Sequence, residues 1–312
     1  MTSNDAFRGR DLLSIADLTP AELEHVLDVA SAQKRGWAAG QRYTPLAGKS
    51  VAIVLQKPSM RTRVSFEIAC VRLGAHPVIM TGPDGAFSRG ESIYDTAKVM
   101  ERYVDVIVLR TYEQRVIEEL AAAASVPVIN ALTDDHHPCQ GLADLLTVKE
   151  RLGRLAGLRF TYVGDGNNMA HTYLLGCALS GMHVTVASPE GYEPKETIVE
   201  QARSIAEKTG ATVTVTNDVT AAAEGANVIA ADTWASMGQE SEHDSRLAVF
   251  APYRVDEKLM SSAAGDAVFL HCLPAHRGEE VTDEVIDGPH SAVFDEAENR
   301  LHAQKALLSL VV

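Results

Sequence analysis

Short runs rich in valine and isoleucine recur along this chain, and they alternate with longer segments whose apolar residues lie three and four positions apart. This alternation predicts parallel strands joined by crossover helices, in a sheet that is covered on both faces. We expect strands at 51–56, 77–80, 105–110, 126–130, 159–164, 183–188, 212–216, 227–232 and 267–272, and helices at 62–73, 91–102 and 113–124. The predicted fold class is α/β, with doubly wound parallel sheets.

The length of 312 residues favours two domains of roughly 150 residues each. The segment from His137 to about Arg154 is typical of one long helix, so we place the junction there and predict domains at 1–149 and 150–290. A last helix is expected at about 296–310. Two such domains should meet at a cleft, with the carboxyl ends of strands from both facing each other.

Charge and cysteine content exclude several classes of protein. The formal charge of −14 argues against a nucleic-acid partner or an anionic membrane surface, since both require a basic face. The four cysteines are far apart and form no C-x-x-C pair, so we expect neither a disulfide framework nor a structural zinc site.

With no long apolar segment and no apolar leader at its start, the chain is expected to be a cytoplasmic protein.

The segment KPSMRTRVSFE (57–67) follows the first strand and opens a helix. Ser59 is placed to cap that helix, and its N-terminus offers unbonded N–H groups beside Arg61 and Arg63. These features predict an anion site, with phosphate as the expected occupant. The alternative is an ordinary capped surface helix with solvated arginines.

Three more polar residues of the first half fall at strand or helix ends. Arg110 ends the third strand, where it can reach the same edge of the sheet or be a charge on its rim. His137 and Gln140 lie three apart at the start of the long helix, hence on one face. They can bond a carbonyl oxygen and an amide, or merely cap the helix, with Pro138 in its first turn.

The segment VGDGNNMAH (163–171) resembles a dinucleotide-binding loop, but Met169 stands where the third glycine of that motif belongs. A nicotinamide cofactor is therefore weakly indicated. Asn167 and Asn168 could instead present amides to a substrate.

Two further motifs follow strands of the second half. In DTWASMG (232–238), Asp232 is a natural partner for a substrate ammonium group. In HCLPAHRGEE (271–280), Cys272 could be a nucleophile, although an inert buried thiol is the default interpretation.

The remaining arginine and histidine side chains are, taken alone, predicted to have no role in a functional site. Arg300, in the last helix, would by itself be a surface charge. His76, His183 and His243 have no partners at metal-ligand spacing along the chain, so no catalytic metal is expected.

Six motifs occur in one order along nearly the whole chain: SMRTR (59–63), HPCQ (137–140), GDGNN (164–168), DTWASMG (232–238), HCLPAHRGEE (271–280) and ENRLHAQK (298–305). Together they resemble the aspartate/ornithine carbamoyltransferase family, and most closely its ornithine-specific branch. The resemblance implies that the first domain binds carbamoyl phosphate and the second binds L-ornithine, without a cofactor or metal. It also implies a homotrimer or an assembly of trimers, and a C-terminal helix (291–312) that packs back on the first domain.

The same resemblance assigns residues to roles. The catalytic residues would be Arg110, His137, Asp232 and Cys272. Carbamoyl phosphate would be bound by Ser59, Met60, Arg61, Thr62, Arg110, His137, Gln140, Cys272, Leu273 and Arg300. Ornithine would be bound by Asn168, Asp232, Ser236 and Met237.

Two positions depart from the family pattern. Met60 stands where the family usually has threonine, and Ala86 stands where ornithine enzymes often carry glutamine or histidine. Three alternatives remain at this stage: a carbamoyltransferase acting on another amine, such as putrescine or N-acetylornithine; a catalytically silent relative; and a nicotinamide-dependent oxidoreductase. The sequence leaves open whether the reaction runs toward citrulline or back toward carbamoyl phosphate.

Overall fold

The computed structural model of the chain describes residues 4–82, 90–235 and 242–312. The described residues form nine strands: β1 (Ser50–Leu55), β2 (His76–Thr81), β3 (Val106–Arg110), β4 (Val128–Leu132), β5 (Arg159–Val163), β6 (His183–Ala187), β7 (Val213–Thr216), β8 (Val228–Ala231) and β9 (Val268–His271). All nine expected strands are therefore confirmed, most within one or two residues at each end.

The described residues also form helices, most of which follow a strand. They are α1 (Pro20–Ala38), α2 (Met60–Leu73), α3 (Ile93–Met100), α4 (Gln114–Ala123), α5 (Pro138–Leu152), α6 (Asn168–Ser180), α7 (Glu196–Thr209), α8 (Val219–Ala223), α9 (His243–Phe250), α10 (Glu257–Ser262), α11 (Asp283–Ile286) and α12 (Val293–Val311). Helix α1 has no counterpart among the sequence-based predictions. Among the helices described, none combines the length and apolarity needed to cross a membrane.

The chain forms two compact units. One comprises Met1–Ala143 together with Glu298–Val312, and the other comprises Asp144–Ala297. The first unit contains a four-stranded sheet in the order β2-β1-β3-β4, and the second a five-stranded sheet in the order β7-β6-β5-β8-β9. Every strand pair is parallel. The prediction of two doubly wound parallel sheets is confirmed.

Each sheet has a point where the strand order reverses. In the first unit the chain proceeds from β1 to β2 on one side and from β3 to β4 on the other, so the reversal lies between β1 and β3. In the second unit it lies between β5 and β8 by the same reasoning. Ligands of open α/β sheets bind outside the carboxyl ends of the strands at such a point. A ligand is therefore expected to bind at the loops after these four strands.

Local sequence explains where the helices near these points begin and end. Ser59 is extended, and its hydroxyl accepts a hydrogen bond from the N–H of Thr62, so the predicted cap of α2 is confirmed. The helix ends at Gly74, whose φ of +82° is left-handed and favours glycine. A Cβ there would also lie 2.9 Å from the Cβ of Thr44, which leaves no room for a side chain.

Both sheets are held by apolar side chains that are almost wholly inaccessible. In the first unit, Ala52, Ile107 and Leu109 pack with residues of α3 and α4. In the second unit, helix α6 is buried from Met169 to Leu179, which matches its mainly apolar sequence. Packing on both faces fixes the carboxyl edge of each sheet, and hence the loops that follow it.

Candidate active site

The N-terminus of α2 lies directly after β1. Ser59 Oγ accepts from the N–H of Thr62 at 3.2 Å, and this leaves other first-turn N–H groups available to an anion. The side chain of Arg61 is partly buried, whereas that of Arg63 is exposed and lies 3.9 Å from Glu67. Arg61 can therefore contribute to an anion site, while Arg63 fits the surface interpretation.

Arg300, on α12, bonds one residue of α2 and one residue of α5. Its Nη1 donates to Gln140 Oε1 at 2.7 Å, and its Nη2 donates to Thr62 Oγ1 at 3.1 Å. The residue is only 3% exposed. The interpretation of Arg300 as a surface charge is therefore wrong, because its place on α12 directs it toward α2 and α5.

His137 lies close enough to two arginines to be affected by their charge. Burial and the positive charges of Arg300 and Arg110 hold the pKa of His137 well below its ordinary value. At neutral pH the imidazole is therefore uncharged, and it can bond a substrate oxygen or N–H without adding a third positive charge. Arg110, the last residue of β3, is itself buried. Two buried cations, a neutral imidazole and an amide together suit an anionic ligand with a polar group attached.

Lys57 is a buried cation that the sequence analysis did not single out. Its ammonium pairs with the carboxylate of Asp134 and lies 4.5 Å from the ring centroid of Tyr112. Because it has these partners, Lys57 anchors the loop after β1. In the sequence, the only feature that marks Lys57 is its position directly before Pro58.

In the second unit, Asn167 is the N-cap of α6. Its Oδ1 accepts from the N–H groups of Met169 and Ala170 at 2.9 and 3.3 Å. Its Nδ2 donates to Asp232 Oδ2 at 2.9 Å. The side chain of Asn167 thus both caps α6 and bonds Asp232. Asn168, the first residue of the helix, is half-buried at the same sheet edge.

Asp232 follows β8 and accepts several hydrogen bonds. In addition to Asn167, the thiol of Cys272 donates to Asp232 Oδ1 at 3.1 Å, and the N–H of Thr233 donates to the same oxygen at 2.8 Å. These bonds hold a carboxylate at the reversal point between β5 and β8. A fixed carboxylate at this place can receive a substrate ammonium group.

Cys272 does not have the surroundings of a nucleophile. Burial and the negative charges of Asp232 and Glu296 raise the pKa of the Cys272 thiol well above its ordinary value. Since only the thiolate is an effective nucleophile, the residue acts here as a neutral hydrogen-bond donor. The alternative of nucleophilic catalysis by Cys272 is not supported.

The backbone after β9 is strained, and buried side chains hold it in place. Leu273 has a φ of +58°, a region that costs a non-glycine residue of order 1–3 kcal/mol. Its N–H donates to His271 Nδ1 at 2.9 Å, and His271 Nε2 lies 3.0 Å from Glu280 Oε1. Because Nδ1 accepts, the proton of this imidazole is on Nε2. His271 and Glu280 are both fully buried, and together they fix the loop that carries Cys272 and Leu273.

The glycine-rich loop after β5 is shaped by contacts within the second unit. A Cβ on Gly166 would lie 2.3 Å from the backbone of Glu193 and Pro194, so only glycine fits there. Arg246 binds the neighbouring Asp165, with Nη1 2.9 Å from Oδ2, and also donates to the carbonyl of Trp234 at 2.9 Å. Sequence reasoning missed this buried pair, since its members are 81 positions apart. Close packing therefore accounts for the glycine at position 166, and no bound dinucleotide is needed to explain it.

Three of the residues named from the sequence lie outside the described residues, and one expectation, for His243, is corrected by the fold. Ser236, Met237 and Ala86 are outside the described residues. His243, for which no partner was expected, has its Nε2 3.2 Å from Glu279 Oε2. That expectation is corrected, because the two residues meet only when α9 packs near the loop after β9.

Two parallel α/β units whose polar residues gather at the strand-order reversals define a class of enzyme that binds small polar substrates at strand ends. Residues 10–150 match the family model "Aspartate/ornithine carbamoyltransferase, carbamoyl-P binding domain", and residues 156–311 match "Aspartate/ornithine carbamoyltransferase, Asp/Orn binding domain". The chain belongs to the aspartate/ornithine carbamoyltransferase family and is a carbamoyltransferase.

Individual relatives agree over almost the full length. A curated ornithine carbamoyltransferase of Anoxybacillus flavithermus is 54% identical over 308 residues, which cover 99% of this chain and 98% of the relative. That of Carboxydothermus hydrogenoformans is 53% identical, covering 98% and 99%. The solved ornithine carbamoyltransferase of Pyrococcus furiosus is 48% identical with a TM-score of 0.95, covering 98% of this chain and 97% of that one.

Proposed function

We propose that this chain is an ornithine carbamoyltransferase, which transfers the carbamoyl group of carbamoyl phosphate to the δ-amine of L-ornithine and yields L-citrulline and phosphate. The observation that carries the proposal is that each unit has its own cluster of polar side chains. One is the buried arginine–histidine–glutamine group of the first unit, and the other is the hydrogen-bonded carboxylate of Asp232 in the second. Relatives that share about half of the sequence over its full length bear the same name. An acceptor such as putrescine or N-acetylornithine is not favoured.

The first unit would bind carbamoyl phosphate. Ser59, Met60, Arg61 and Thr62 would bind the phosphate through the N-terminal N–H groups of α2 and through side chains, together with Arg110 and Arg300. His137 and Gln140 would bond the carbamoyl group, joined by the backbone at Cys272 and Leu273. The side chain of Met60 is 71% exposed, so its backbone N–H is the part that would serve the phosphate. We accordingly assign carbamoyl phosphate binding to residues 1–149 with the C-terminal helix 291–312.

The second unit, residues 150–290, would bind ornithine. Asp232, with Asn168, would hold the α-ammonium and α-carboxylate groups, and Ser236 and Met237 would complete that set. Cys272 would orient the δ-amine together with Asp232. A carboxylate that already accepts three hydrogen bonds is rigid, and rigidity of this kind lowers the entropic cost of aligning the amine.

The reaction needs charge stabilisation more than proton transfer by a strong base. The neutral δ-amine attacks the carbamoyl carbon, and the carbonyl oxygen becomes negative. The carbonyl then re-forms as the bond from carbon to the phosphate oxygen breaks, and the proton that the amine loses passes to the departing phosphate or to solvent. Arg110 and the neutral His137 would stabilise the oxygen, while Arg61 and Arg300 would stabilise the departing phosphate. Since the free δ-amine is mostly protonated at pH 7, turnover should rise with pH as the neutral amine becomes available.

Assembly and cellular role are part of the proposal. The exposed face of α2 carries an apolar stripe of Met60, Val64, Ile68 and Val71. Such a stripe supports burial against another copy of the chain, as in a homotrimer. Four free cysteines support a reducing, cytoplasmic location. The proposed product, citrulline, supports a role in arginine biosynthesis.

The test is the formation of ureido product from carbamoyl phosphate with ornithine, putrescine, N-acetylornithine and aspartate in parallel. A strong preference for ornithine is expected, and product with another amine alone would overturn the assignment of substrate. Arg61→Ala and Arg110→Ala should each lower turnover by about 100-fold or more. Arg63→Ala, which removes an exposed arginine of the same helix, is the matched control and should leave turnover nearly unchanged. Near-normal activity in both active-site variants would overturn the phosphate site.

A further inference from the structure

Two histidines and a glutamate converge on the surface of the second unit. His243 Nε2 lies 3.2 Å from Glu279 Oε2, and His276 Nδ1 lies 3.6 Å from the same oxygen. The three ligand atoms lie within 4.8 Å of one another. We propose that His243, His276 and Glu279 form a binding site for a divalent transition-metal ion of the zinc type.

The distances between the ligand atoms are compatible with a shared metal ion. Zinc binds imidazole nitrogen and carboxylate oxygen at about 2.0–2.2 Å, so tetrahedral ligand atoms lie roughly 3.3 Å apart. The separations of 3.2 and 3.6 Å already bracket this value. Small rotations of side chains would bring all three atoms onto one ion. Two imidazoles with one carboxylate also form a ligand set that favours zinc over calcium or magnesium.

Two of the three ligands are held in a turn. The N–H of Glu279 donates to the carbonyl of His276 at 2.9 Å, and the N–H of His276 donates to Glu280 Oε1 at 2.7 Å. Arg254 Nε donates to the carbonyl of Glu279 at 2.8 Å. Glu280 is in turn bonded to the buried His271. The backbone that carries both ligands is therefore fixed before an ion arrives, which favours binding.

The third ligand comes from a separate element. His243 is the first residue of α9, and its Nδ1 lies 3.7 Å from the exposed carboxylate of Asp244. The three ligand side chains are between 27% and 43% exposed. An ion can thus enter from solvent, and water can occupy the fourth position.

A bound ion would join α9 to the loop after β9. The same helix carries Arg246, which holds Asp165 and Trp234. The ion would therefore link α9 to the loop after β9 and stabilise the folded second unit. This inference concerns binding and stability, and it does not depend on the proposed function.

The experiment is zinc titration of the metal-free, full-length protein in competition with a chromophoric chelator. One ion per chain is expected. His243→Gln, His276→Gln and Glu279→Gln should each weaken binding by about 10-fold or more, and the triple variant should abolish it. Cobalt should show the absorption of a tetrahedral site in the wild type but not in the triple variant. His183→Gln is the matched control, since His183 belongs to no such three-residue group among the described residues.

Three results would overturn the site: no zinc binding by the wild type, unchanged affinity in the triple variant, or loss of binding on Cys272→Ser alone. All three substituted positions are partly exposed, so the variants should fold, and thermal unfolding of the metal-free proteins checks this. Zinc should raise the unfolding temperature of the wild type and not that of the triple variant. None of these readouts uses turnover, so failure of the zinc site and failure of the proposed function are distinguishable.

Discussion

Arg300 Nη1 lies 2.7 Å from Gln140 Oε1, although the two residues are 160 positions apart in the sequence. The bond fixes the orientation of the Gln140 amide, and the same guanidinium also binds the hydroxyl of Thr62. A cation in such a frame is positioned before any substrate arrives. Preorganisation of this kind is what makes a buried charge effective in catalysis.

Replacement of Arg300 by lysine tests whether charge or shape matters. Lysine retains the charge but lacks the planar fork that reaches Gln140 and Thr62 together. We expect Arg300→Lys to lower kcat/KM for carbamoyl phosphate by about 100-fold, with Arg300→Gln at least as impaired. Steady-state kinetics with each substrate varied checks this. Recovery of most of the activity in Arg300→Lys would show that charge alone suffices.

His137 should make stability depend on pH in the acidic range. Its pKa in the folded protein lies below the ordinary value of 6.5, so below that pH the unfolded chain binds a proton that the folded protein does not. The free energy of unfolding should therefore decrease as pH falls from about 6.5 toward 5, by up to ~1.4 kcal/mol per pH unit. Above 6.5 both states are neutral at this position and the contribution is constant.

Denaturant unfolding of the wild type and of His137→Gln over this pH range measures that contribution. The slope for the variant should be smaller. His302 serves as a positive control, because burial also lowers the pKa of its imidazole, so that His302→Gln should remove a separate part of the slope. Identical slopes in the wild type and His137→Gln would contradict the expectation.

Cys272 should react slowly with alkylating reagents. Burial and nearby carboxylates raise its pKa, so the reactive thiolate is scarce at neutral pH. We expect iodoacetamide to modify Cys272 at least ~10-fold more slowly in the native protein than in the denatured chain, by mass spectrometry of peptides. In addition, Cys272→Ser, which keeps a donor for Asp232, should retain more activity than Cys272→Ala. Rapid modification of the native thiol would instead indicate a nucleophile.

Asp232→Asn should affect ornithine selectively. The substitution keeps the shape of the side chain but removes the charge that would bind an ammonium group. Hydrogen bonds to charged groups contribute about 1.5–3 kcal/mol, so kcat/KM for ornithine should fall roughly 10- to 100-fold. KM for carbamoyl phosphate should change little. Asp256→Asn, at the N-cap of α10, is the control, because asparagine caps a helix equally well. An equal loss for both substrates would contradict the assignment.

Replacement of Glu280 should lower the stability of the folded protein. Glu280→Ala would leave His271 Nε2 and the N–H of His276 without their acceptor. A buried polar group without its partner costs about 1–3 kcal/mol, and His271 is fully buried, so the free energy of unfolding should decrease by about that amount. Glu280→Gln keeps an oxygen acceptor and should lose less. Chemical denaturation of both variants compares them, and equal stability of wild type and Glu280→Ala would refute this role.

Local features were predictable because they depend on neighbouring residues. The valine-rich run that ends at Arg110 predicts a buried strand, and β3 occupies Val106–Arg110. Ser59 was expected to cap the helix that opens at 60, and it does. The placement of polar residues after strands likewise identified Asp232 and Arg110, because strand ends can be read from periodicity.

Contacts between distant elements were not predictable in the same way. Arg300 taken alone looked like a surface charge, and only the family resemblance assigned it to the site; it is buried against Gln140 and Thr62. Arg246 and Asp165 gave no sign of pairing, and His243 appeared to lack a partner. The amide of Asn167, read as a possible substrate contact, also caps α6 and bonds Asp232.

The sequence by itself determined the α/β class, the positions of the nine strands and the strand ends at which polar side chains collect. Periodicity and capping are properties of a single element, and each element's apolar pattern reports its own burial. Only the tertiary structure decided which side chains meet, such as Cys272 with Asp232 or His243 with Glu279. Spacing along the chain carries no information about the distance between residues on different elements, and that distance arises only when the elements pack.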